Sequence, residues 1–532
     1  MLSQSKDSFS SVFDKLDRFY NISSLASRIS KNDKDYISYI LSTNKHLHVL
    51  IVEEQTLKLV YCAEIEDVEA FITDIPKIFN TKVKAIIFRV FGFKHEKYPN
   101  NIKFCEDLKN KIDACKIPYY FLSNTDFIFT QSIVASNIST NFDENILIVF
   151  SDVDTAMKLQ YTKHGYKFIE KIFDENSMTK VRNLQKVIVL SGKNQQKFMN
   201  LFKSRNPILV QYRDNENILK CLIEINKWMF DKSYTKFHVI PRSDKYFTIG
   251  YEIVGERESY NLILVPKGNE LPVKVGVSSS KTSFNHFLAY LDEDDPEKVI
   301  KHKEYKLTGE AHEYRLILKI DINNFPTYEI ENVIHEHIVN FPKFCDSYKF
   351  ESGANFKSYP IIGILANRSF ICINKNGKFE FLESWGGKWG TPMHITFDKE
   401  KPQFGAAAEE TLTKHGKYGV QDLLQVMTEG DNAITEITPH GYKFVKDEEN
   451  PVLLEFETFD GTKKAASPEF LIAMLIRQQL KAIEKEMGKK PASIGFCIFN
   501  VFTEKENKNI KIAFGKACAL MKIKDFCFVP WK

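Results

Sequence analysis

The chain has 532 residues, enough for three or four domains with ample hydrophobic cores. Its composition of 43% apolar and 27% charged residues excludes a disordered or fibrous protein. The 73 basic and 69 acidic residues are mixed along the chain, and a net charge of +4 gives no indication of a nucleic-acid or membrane partner.

Cysteine usage and hydropathy favour a protein of the cell interior. No apolar run approaches the length of a membrane span, and residues 1–11 lack the hydrophobic core of a signal peptide. The nine cysteines are scattered without a CxxC pair, a pattern that indicates reduced thiols. We therefore expect a cytoplasmic or nuclear location.

The first 235 residues alternate between strand and helix patterns, which is typical of an α/β region. The predicted elements are a helical segment over 1–45, a hairpin over 48–60, a helix over 66–79, a strand over 85–93, a helix over 99–115, a strand over 119–123, two strands within 144–160, a strand and turn over 187–192 and a helix over 215–231.

The character changes in the second half of the chain. Residues 238–325 predict short strands with Gly and Pro turns, and residues 330–345 offer one short helix at most. Strands are predicted again from Ile361. The predicted strands are 361–364, 370–373, 378–382 and 393–397, and a helix is predicted after Gly405.

Two distant segments predict an internal repeat. Residues 100–104 (NNIKF) parallel residues 508–512 (KNIKI), each after a buried strand and before an amphipathic helix. Residues 52–71 also parallel residues 456–470. We expect two copies of one domain, and we expect the first copy to lack the first half of that domain.

The segment 360–410 carries the strongest family signal. Its motifs Ile362-Gly363-Ile364, Thr391-Pro392 and Phe404-Gly405-Ala406-Ala407 follow the order strand, polar turn, strand, hairpin, strand, helix. In these motifs the chain resembles the opening of the heat-shock protein 70 (DnaK-like) chaperones. Residues 248–274 likewise resemble the peptide-binding β-sandwich of that family.

The resemblance implies a fold class of multidomain α/β plus all-β, with actin-like ATPase-fold lobes flanking a peptide-binding-type β-sandwich. The implied domains are a partial ATPase-like lobe I (1–140), a reduced lobe II (141–235), a β-sandwich (236–330), a linker helix (331–356) and a second lobe I (357–532). The helical lid of the family and its leucine-rich linker have no counterpart.

The resemblance fails where ATP would bind. In the first phosphate turn Leu365 stands for the aspartate, Asn367 for a glycine and Arg368 for a threonine; in the second, Phe150 replaces the aspartate and Asp152-Val153-Asp154 the glycines. Without those glycines, backbone amides lose their close approach to an anion. Four aligned positions that should serve metal or phosphate are apolar: Leu16 (with Lys15 beside it), Phe150, Leu365 and Leu424.

The remaining nucleotide-site remnants are Gly363, Ser369, Thr155 and Gly192. Because phosphoryl transfer depends on electrostatic stabilisation by such groups, we predict no catalytic residues, no metal and no cofactor. ATP and Mg²⁺ would be required only under the alternative of a chaperone with divergent phosphate loops.

The predicted peptide-binding residues lie along one strand: Phe247, Ile249, Tyr251 and Ile253. Affinity there would come from backbone hydrogen bonds to an extended apolar peptide and from an apolar pocket. The alternative is that the same side chains fill the sandwich core. Successive side chains of a strand point to opposite faces of the sheet, so the pattern fits either location.

Three weaker motifs have plain structural explanations. Residues 191–193 (Ser-Gly-Lys) lack the rest of a P-loop and predict a turn. The two histidines of 335–337 (His-Glu-His) should point to different faces of a linker helix, without a third histidine nearby. Residues 385–390 form either an exposed recognition loop or a hairpin whose tryptophans cap the sheet.

The sequence therefore predicts a degenerate heat-shock-70-like pseudoenzyme that acts in protein or peptide binding or in chaperone regulation. A co-chaperone or a second copy of the chain is a further candidate partner, whereas nucleic acid and membrane are not expected. The alternatives are an ATP-dependent chaperone and a structural scaffold whose lobes dimerise.

Overall fold

The protein is a mixed α/β chain, as the coarse fold prediction states. The computed structural model describes all residues except 1–19, 31–33, 44–45, 80–81, 212–213, 253–258, 282–283, 292–297, 349–358, 430–441 and 532. Two compact units divide the chain: Met1–Phe247 with Val265–Lys274 and Lys319–Thr327, and Thr248–Leu264 with Val275–Leu318 and Tyr328–Lys532. Among the helices so described, none has the length and hydrophobicity needed to cross a membrane.

The N-terminal sheet belongs to the first unit. Its elements are α1 (Ile22–Ser30), β1 (Tyr36–Ser42), β2 (Leu47–Glu53), β3 (Leu59–Ile65), α2 (Val68–Ile78), β4 (Val83–Arg89), α3 (Asn101–Cys115) and β5 (Tyr119–Phe121). The strand order is β3-β2-β1-β4-β5, with β1 antiparallel to β2 and parallel to β4. This confirms the predicted hairpin, helices and strands between residues 48 and 123.

Strand β1 corrects the prediction of a helical segment over residues 1–45. Its sequence YISYILS is buried on both faces except at its last residue, so it lacks the polar alternation of a half-exposed strand. Ile40 packs beside Leu25 of α1, whereas Tyr39 points to the other face. The N-terminal sheet therefore has its first three strands, and the expectation that this copy lacks its first half holds only for the elements that lie between Phe381 and Pro468 in the second copy.

The middle sheet follows in the same unit. Its elements are α4 (Asn124–Ser136), β6 (Asn145–Phe150), β7 (Thr155–Thr162), β8 (Gly165–Ile172), α5 (Glu175–Thr179), β9 (Leu184–Leu190), α6 (Gln195–Leu201), β10 (Ile208–Val210) and α7 (Asn215–Phe230). The order is β10-β9-β6-β7-β8. Helix α4 serves both sheets, because Phe127 packs with Tyr39 of the N-terminal sheet and Phe129 packs with Ile148 of the middle sheet.

Seven strands follow in two sheets, as the all-β pattern predicts. They are β11 (Phe247–Glu252), β12 (Ser259–Val265), β13 (Val273–Ser280), β14 (Asn285–Leu291), β15 (Val299–Lys306), β16 (Glu313–Ile320) and β17 (Pro326–Val333). One sheet has the order β12-β11-β14-β15 and the other β13-β16-β17.

The C-terminal sheet belongs to the second unit. It is preceded by α8 (Glu336–Val339) and α9 (Phe341–Ser347) and contains β18 (Ile361–Leu365), β19 (Arg368–Lys375), β20 (Lys378–Phe381) and the short β21 (Thr391–Pro392). The chain then forms β22 (Ile395–Thr396), β23 (Gln403–Phe404), α10 (Ala406–Lys414), β24 (Gly419–Val420), α11 (Leu423–Glu429), β25 (Lys443–Val445), β26 (Leu453–Glu457), β27 (Lys463–Ala466), α12 (Pro468–Met487), β28 (Ser493–Ile498), α13 (Glu504–Leu520) and β29 (Asp525–Phe528).

The order of the C-terminal sheet is β20-β19-β18-β28-β29. As predicted, the sheet begins at Ile361 and a helix follows Gly405. The predicted strand over 393–397 shortens to β22, which pairs with β23 and β24 in a separate sheet. Helices α11, α12 and α13 cover one face of the C-terminal sheet, and α8 and α9 cover the other.

All three five-stranded paths share one order: third, second, first, fourth, fifth strand along the chain. Residues 100–104 and 508–512 lie at equivalent places in this order, since α3 and α13 both connect the fourth strand to the fifth. Residues 52–71 and 456–470 share the local order of hairpin turn, strand and helix start, but their strands lie in different kinds of sheet. Strand β2 lies inside the N-terminal sheet, whereas β26 pairs with β25 and β27 in a small sheet of its own.

Candidate functional site

The turn between β6 and β7 is bonded to the turn that follows β9. Asp152 Oδ1 accepts a hydrogen bond of 2.7 Å from the Lys193 backbone N–H, and Asp154 Oδ1 accepts one of 2.9 Å from Asn194 Nδ2. Lys197 Nζ lies 3.2 Å from Asp154 Oδ2. The hydrogen bond from Asn194 lowers the pKa of Asp154 most, and the neighbouring Lys197 lowers it further. The two carboxylates therefore bind the chain itself.

Gly192 leaves room for the side chains of this close approach. A Cβ atom at position 192 would collide with Asp152 Oδ1 and lie 2.6 Å from Ser151 Oγ, which itself donates to the Leu190 carbonyl. Thr155 is buried, and its Oγ1 has no hydrogen-bond partner within the described residues. The structure thus brings Gly192 against the turn before Thr155, but the space between them is filled by side chains.

The corresponding turn of the C-terminal sheet lies between β18 and β19. Ser369 is fully buried, and its Oγ accepts a hydrogen bond of 3.0 Å from Trp385 Nε1. A Cβ atom at Gly363 would lie 2.7 Å from Phe499 and 3.0 Å from Phe341. Both predicted remnants therefore serve packing in the core.

Arg368 closes the same turn from the side. Its Nε and Nη2 each donate a hydrogen bond of 3.1 Å, to the carbonyl oxygens of Trp389 and Gly390, and its Nη1 lies 3.9 Å from Glu409. The guanidinium-bearing side chain is 12% exposed, and burial lowers its pKa. Asn367 donates through Nδ2 to Asp422. These donors are directed at protein acceptors.

The positions that the resemblance assigns to metal and phosphate chemistry are buried and apolar: Phe150, Leu365 and Leu424. Lys15 and Leu16 lie outside the described residues. No group of three or more His, Cys, Asp or Glu side chains within the described ranges could hold a metal ion. Phe150, Leu365 and Leu424 therefore supply no charge at these three positions.

The predicted peptide-binding strand is mostly core. Phe247 and Ile249 are buried on β11, whereas Tyr251 is half-buried. The Tyr251 ring stacks on Phe284, with centroids 4.9 Å apart, and Tyr260 lies at 5.3 Å. Ile253 lies outside the described residues. Tyr251 is therefore the one residue of the predicted set that the structure describes as partly accessible.

Sequence reasoning missed His312, and the expectation of no third histidine near 335–337 was wrong. The rings of His312 and His335 lie 5.8 Å apart, although 23 positions separate them in sequence. His312 Nδ1 accepts a hydrogen bond of 2.8 Å from the His335 backbone N–H, so its Nε2 carries the proton donated to the Lys388 carbonyl oxygen at 2.9 Å. Burial lowers the pKa of His312 to about 4.

Both nitrogens of His312 are thus used within the protein. His335 Nε2 is bonded to Glu313 at 3.0 Å. The arrangement favours a structural role for this cluster, because Trp389 also packs on His312 at a centroid distance of 5.1 Å. In the loop 385–390, both tryptophans contact the protein body, which favours the capping alternative over an exposed recognition loop.

No model of a known protein family matches the chain, so its function has to be argued from its own residues.

Proposed function

We propose that the chain is a catalytically degenerate relative of the heat-shock protein 70 chaperones that binds protein or peptide segments without nucleotide control. The observation that carries this proposal is the bonding of Asp152 and Asp154 to the turn around Gly192. Where the resemblance requires glycines and free backbone amides, the chain supplies its own carboxylates. An anionic phosphate would meet like charge there.

The repeated strand order supports the actin-like part of the proposal. Three sheets share it, which agrees with a duplicated lobe encoded both before and after residues 247–333 in the sequence. The two sheets formed by residues 247–333 are the region to which we assign peptide binding. The assignment rests on Tyr251, whose half-buried ring lies in an aromatic stack with Phe284.

The helices that follow β17 favour fast peptide exchange. Ile338 of α8 and Phe341 of α9 are buried in the cluster on the C-terminal sheet, so these helices do not supply a lid. A binding site without a lid loses affinity mainly through its dissociation rate. Without a bound nucleotide, no differential affinity shifts the conformational equilibrium.

The test is fluorescence anisotropy with a fluorescein-labelled nine-residue peptide of alternating leucine and threonine, with and without Mg-ATP. We expect saturable binding that ATP leaves unchanged and that Tyr251→Ala weakens at least fivefold. Tyr246→Ala is the matched control, because that ring is 43% exposed and precedes β11, and it should bind as the wild type does.

A thermal-shift measurement addresses the nucleotide separately. A ligand at one hundred times its dissociation constant stabilises the folded state by about 2.7 kcal/mol, so Mg-ATP binding would be visible. We expect no shift. An ATP-dependent melting temperature or peptide off-rate would establish the chaperone alternative, and absence of peptide binding would leave the scaffold alternative.

A further inference from the structure

Helices α12 and α13 carry a surplus of positive charge. Residues 468–532 contain twelve lysines and arginines against six aspartates and glutamates, although the whole chain balances to +4. Both helices bury their inner face in one cluster on the C-terminal sheet, with Leu475 on α12 and Phe514 on α13. Lys516 Nζ and Glu469 Oε1, 2.9 Å apart, join the two helices.

Of the acidic residues of this region, Glu469 compensates Lys516, whereas Glu486, Glu506 and Asp525 bond to groups other than its lysines and arginines. Arg477, Lys481 and Lys485 follow one line of α12 at four-residue spacing, and Lys505 and Lys508 begin the outer line of α13. Within the described part of the chain none of these five forms an ion pair.

An ordinary solvated helix face looks different in this protein. On α3, Lys103 is paired with Glu106 and Lys109 with Asp113 at helical spacing. On α13 the outer line instead continues from the lysines to exposed aliphatic side chains. Ile512 is 49% and Leu520 is 59% exposed. Lysines without an ion pair and exposed aliphatic groups on one helix line are complementary to a partner that carries both carboxylates and apolar side chains.

We propose that the outer line of α13, together with the basic line of α12, binds an acidic amphipathic helix of a partner protein. Ile512 and Leu520 are eight residues apart, roughly 12 Å along the helix axis, a spacing that apolar side chains two turns apart on a partner helix can match. Carboxylates on the same partner face would pair with Lys505 and Lys508. This surface is separate from Tyr251 and extends the proposed function.

A lipid surface or a nucleic acid fits these observations less well. The inner face of α13 is buried against the sheet at Ile510, Phe514 and Cys518, so the helix is not available to sink its apolar side into a bilayer. Its outer line carries no aromatic ring on which bases could stack. Charge complementarity with alternating apolar contact favours a protein helix.

The test uses the full chain and a fluorescein-labelled 21-residue peptide with three Leu-Glu-Glu-Ala-Leu-Glu-Lys heptads. We expect saturable binding that weakens as NaCl rises from 50 to 300 mM. Lys505→Glu with Lys508→Glu should raise the Kd at least tenfold. The matched control is Lys399→Glu with Lys401→Glu, the same charge change at exposed residues outside α12 and α13, and it should stay within twofold.

The apolar contact has its own readout. Ile512→Ser leaves the charge unchanged and should weaken the peptide at least threefold, with circular dichroism verifying that each variant is folded. If the test and control double variants lost the same affinity, the binding would depend only on overall charge, and the proposal would be overturned. Binding to vesicles with 30 mol% phosphatidylserine, or to a single-stranded DNA 20-mer, in place of the peptide would overturn it as well.

Discussion

The middle sheet and the C-terminal sheet share one strand order, yet the turns after their first strands are closed by different chemistry. In the middle sheet, Asp154 is 43% exposed and bonds to the side chains of Asn194 and Lys197, which follow β9. In the C-terminal sheet, Arg368 is 12% exposed and bonds to backbone carbonyls. One turn is bound by surface charges, the other by a buried cation.

The difference teaches how much each closure contributes to stability. Exposed ion pairs contribute little, because water and salt screen them and their side chains lose entropy on pairing. A buried guanidinium is different, since its removal leaves two carbonyl oxygens without this donor and takes away one of the positive charges near Glu409. We therefore expect the C-terminal turn to be the more sensitive to substitution, and the predictions below test that order.

The largest effect is expected at Arg368. Arg368→Met keeps the aliphatic volume but removes the donors to the carbonyls of Trp389 and Gly390, and should lower the free energy of unfolding of the second unit by about 3 kcal/mol. Urea unfolding followed by tryptophan fluorescence measures it. Arg368→Lys should recover part of the loss; a Met variant as stable as the wild type would contradict the assigned role.

A smaller but still large effect is expected at Gly363. In Gly363→Ala the new Cβ would lie 2.7 Å from Phe499 and 3.0 Å from Phe341, inside a packed core, and overpacking of this kind costs about 1–3 kcal/mol. Gly192→Ala is the matched comparison. Its neighbours are the side chains of Asp152 and Ser151, which can rotate away, so the cost should stay below about 1 kcal/mol. Equal costs would remove the distinction between the two turns.

The sequence located most elements because hydrophobic periodicity is local. The helix expected over 99–115 is observed as Asn101–Cys115, and its Asn100 cap accepts from the Lys103 N–H. Strand β1 was missed because YISYILS is apolar on both faces and gives no alternation.

The partners of the turn residues were beyond sequence reasoning. From the sequence, Asp152 and Asp154 were compared only with the glycines of the resemblance, and their partners, Lys193 and Asn194, are about forty positions away along the chain. His312 was missed for the same reason, because only the fold brings it to His335 and to the loop 385–390. Contacts of this kind depend on the packing of whole sheets and leave no local pattern.

Lowering the pH should destabilise the two regions at different pH values, and the region around His312, which contacts the loop 385–390, should respond first. Burial lowers the pKa of His312 from 6.5 to about 4, so the unfolded state takes up the proton first as the pH falls. The free energy of unfolding of the second unit should therefore keep its full value above pH 6.5 and decrease between pH 6.5 and 4. Protonation at Nδ1 would also oppose the hydrogen bond from His335 N–H.

The measurement is urea unfolding at pH 7 and pH 5, where we expect a loss on the order of 1 kcal/mol in the wild type. In His312→Gln, a polar side chain that does not titrate, the loss should be smaller. A pH dependence equal to that of the wild type would assign the loss to other groups.

The smallest effect is expected at Asp154, and its pH window lies lower. The hydrogen bond from Asn194 lowers the pKa of Asp154 below its ordinary 3.8, so the carboxylate stabilises the folded state above that value and the contribution disappears as the pH falls through the lowered pKa. Asp154→Asn removes the charge and should change the free energy of unfolding by less than about 1 kcal/mol at pH 7. Hydrogen exchange of peptides covering 145–162, corrected for intrinsic rates, should show the wild-type turn losing protection only below pH 4, while the variant shows no such step. Loss of protection already at pH 5 to 6, in parallel with the C-terminal turn, would mean that the two closures do not differ in chemistry as their contacts indicate.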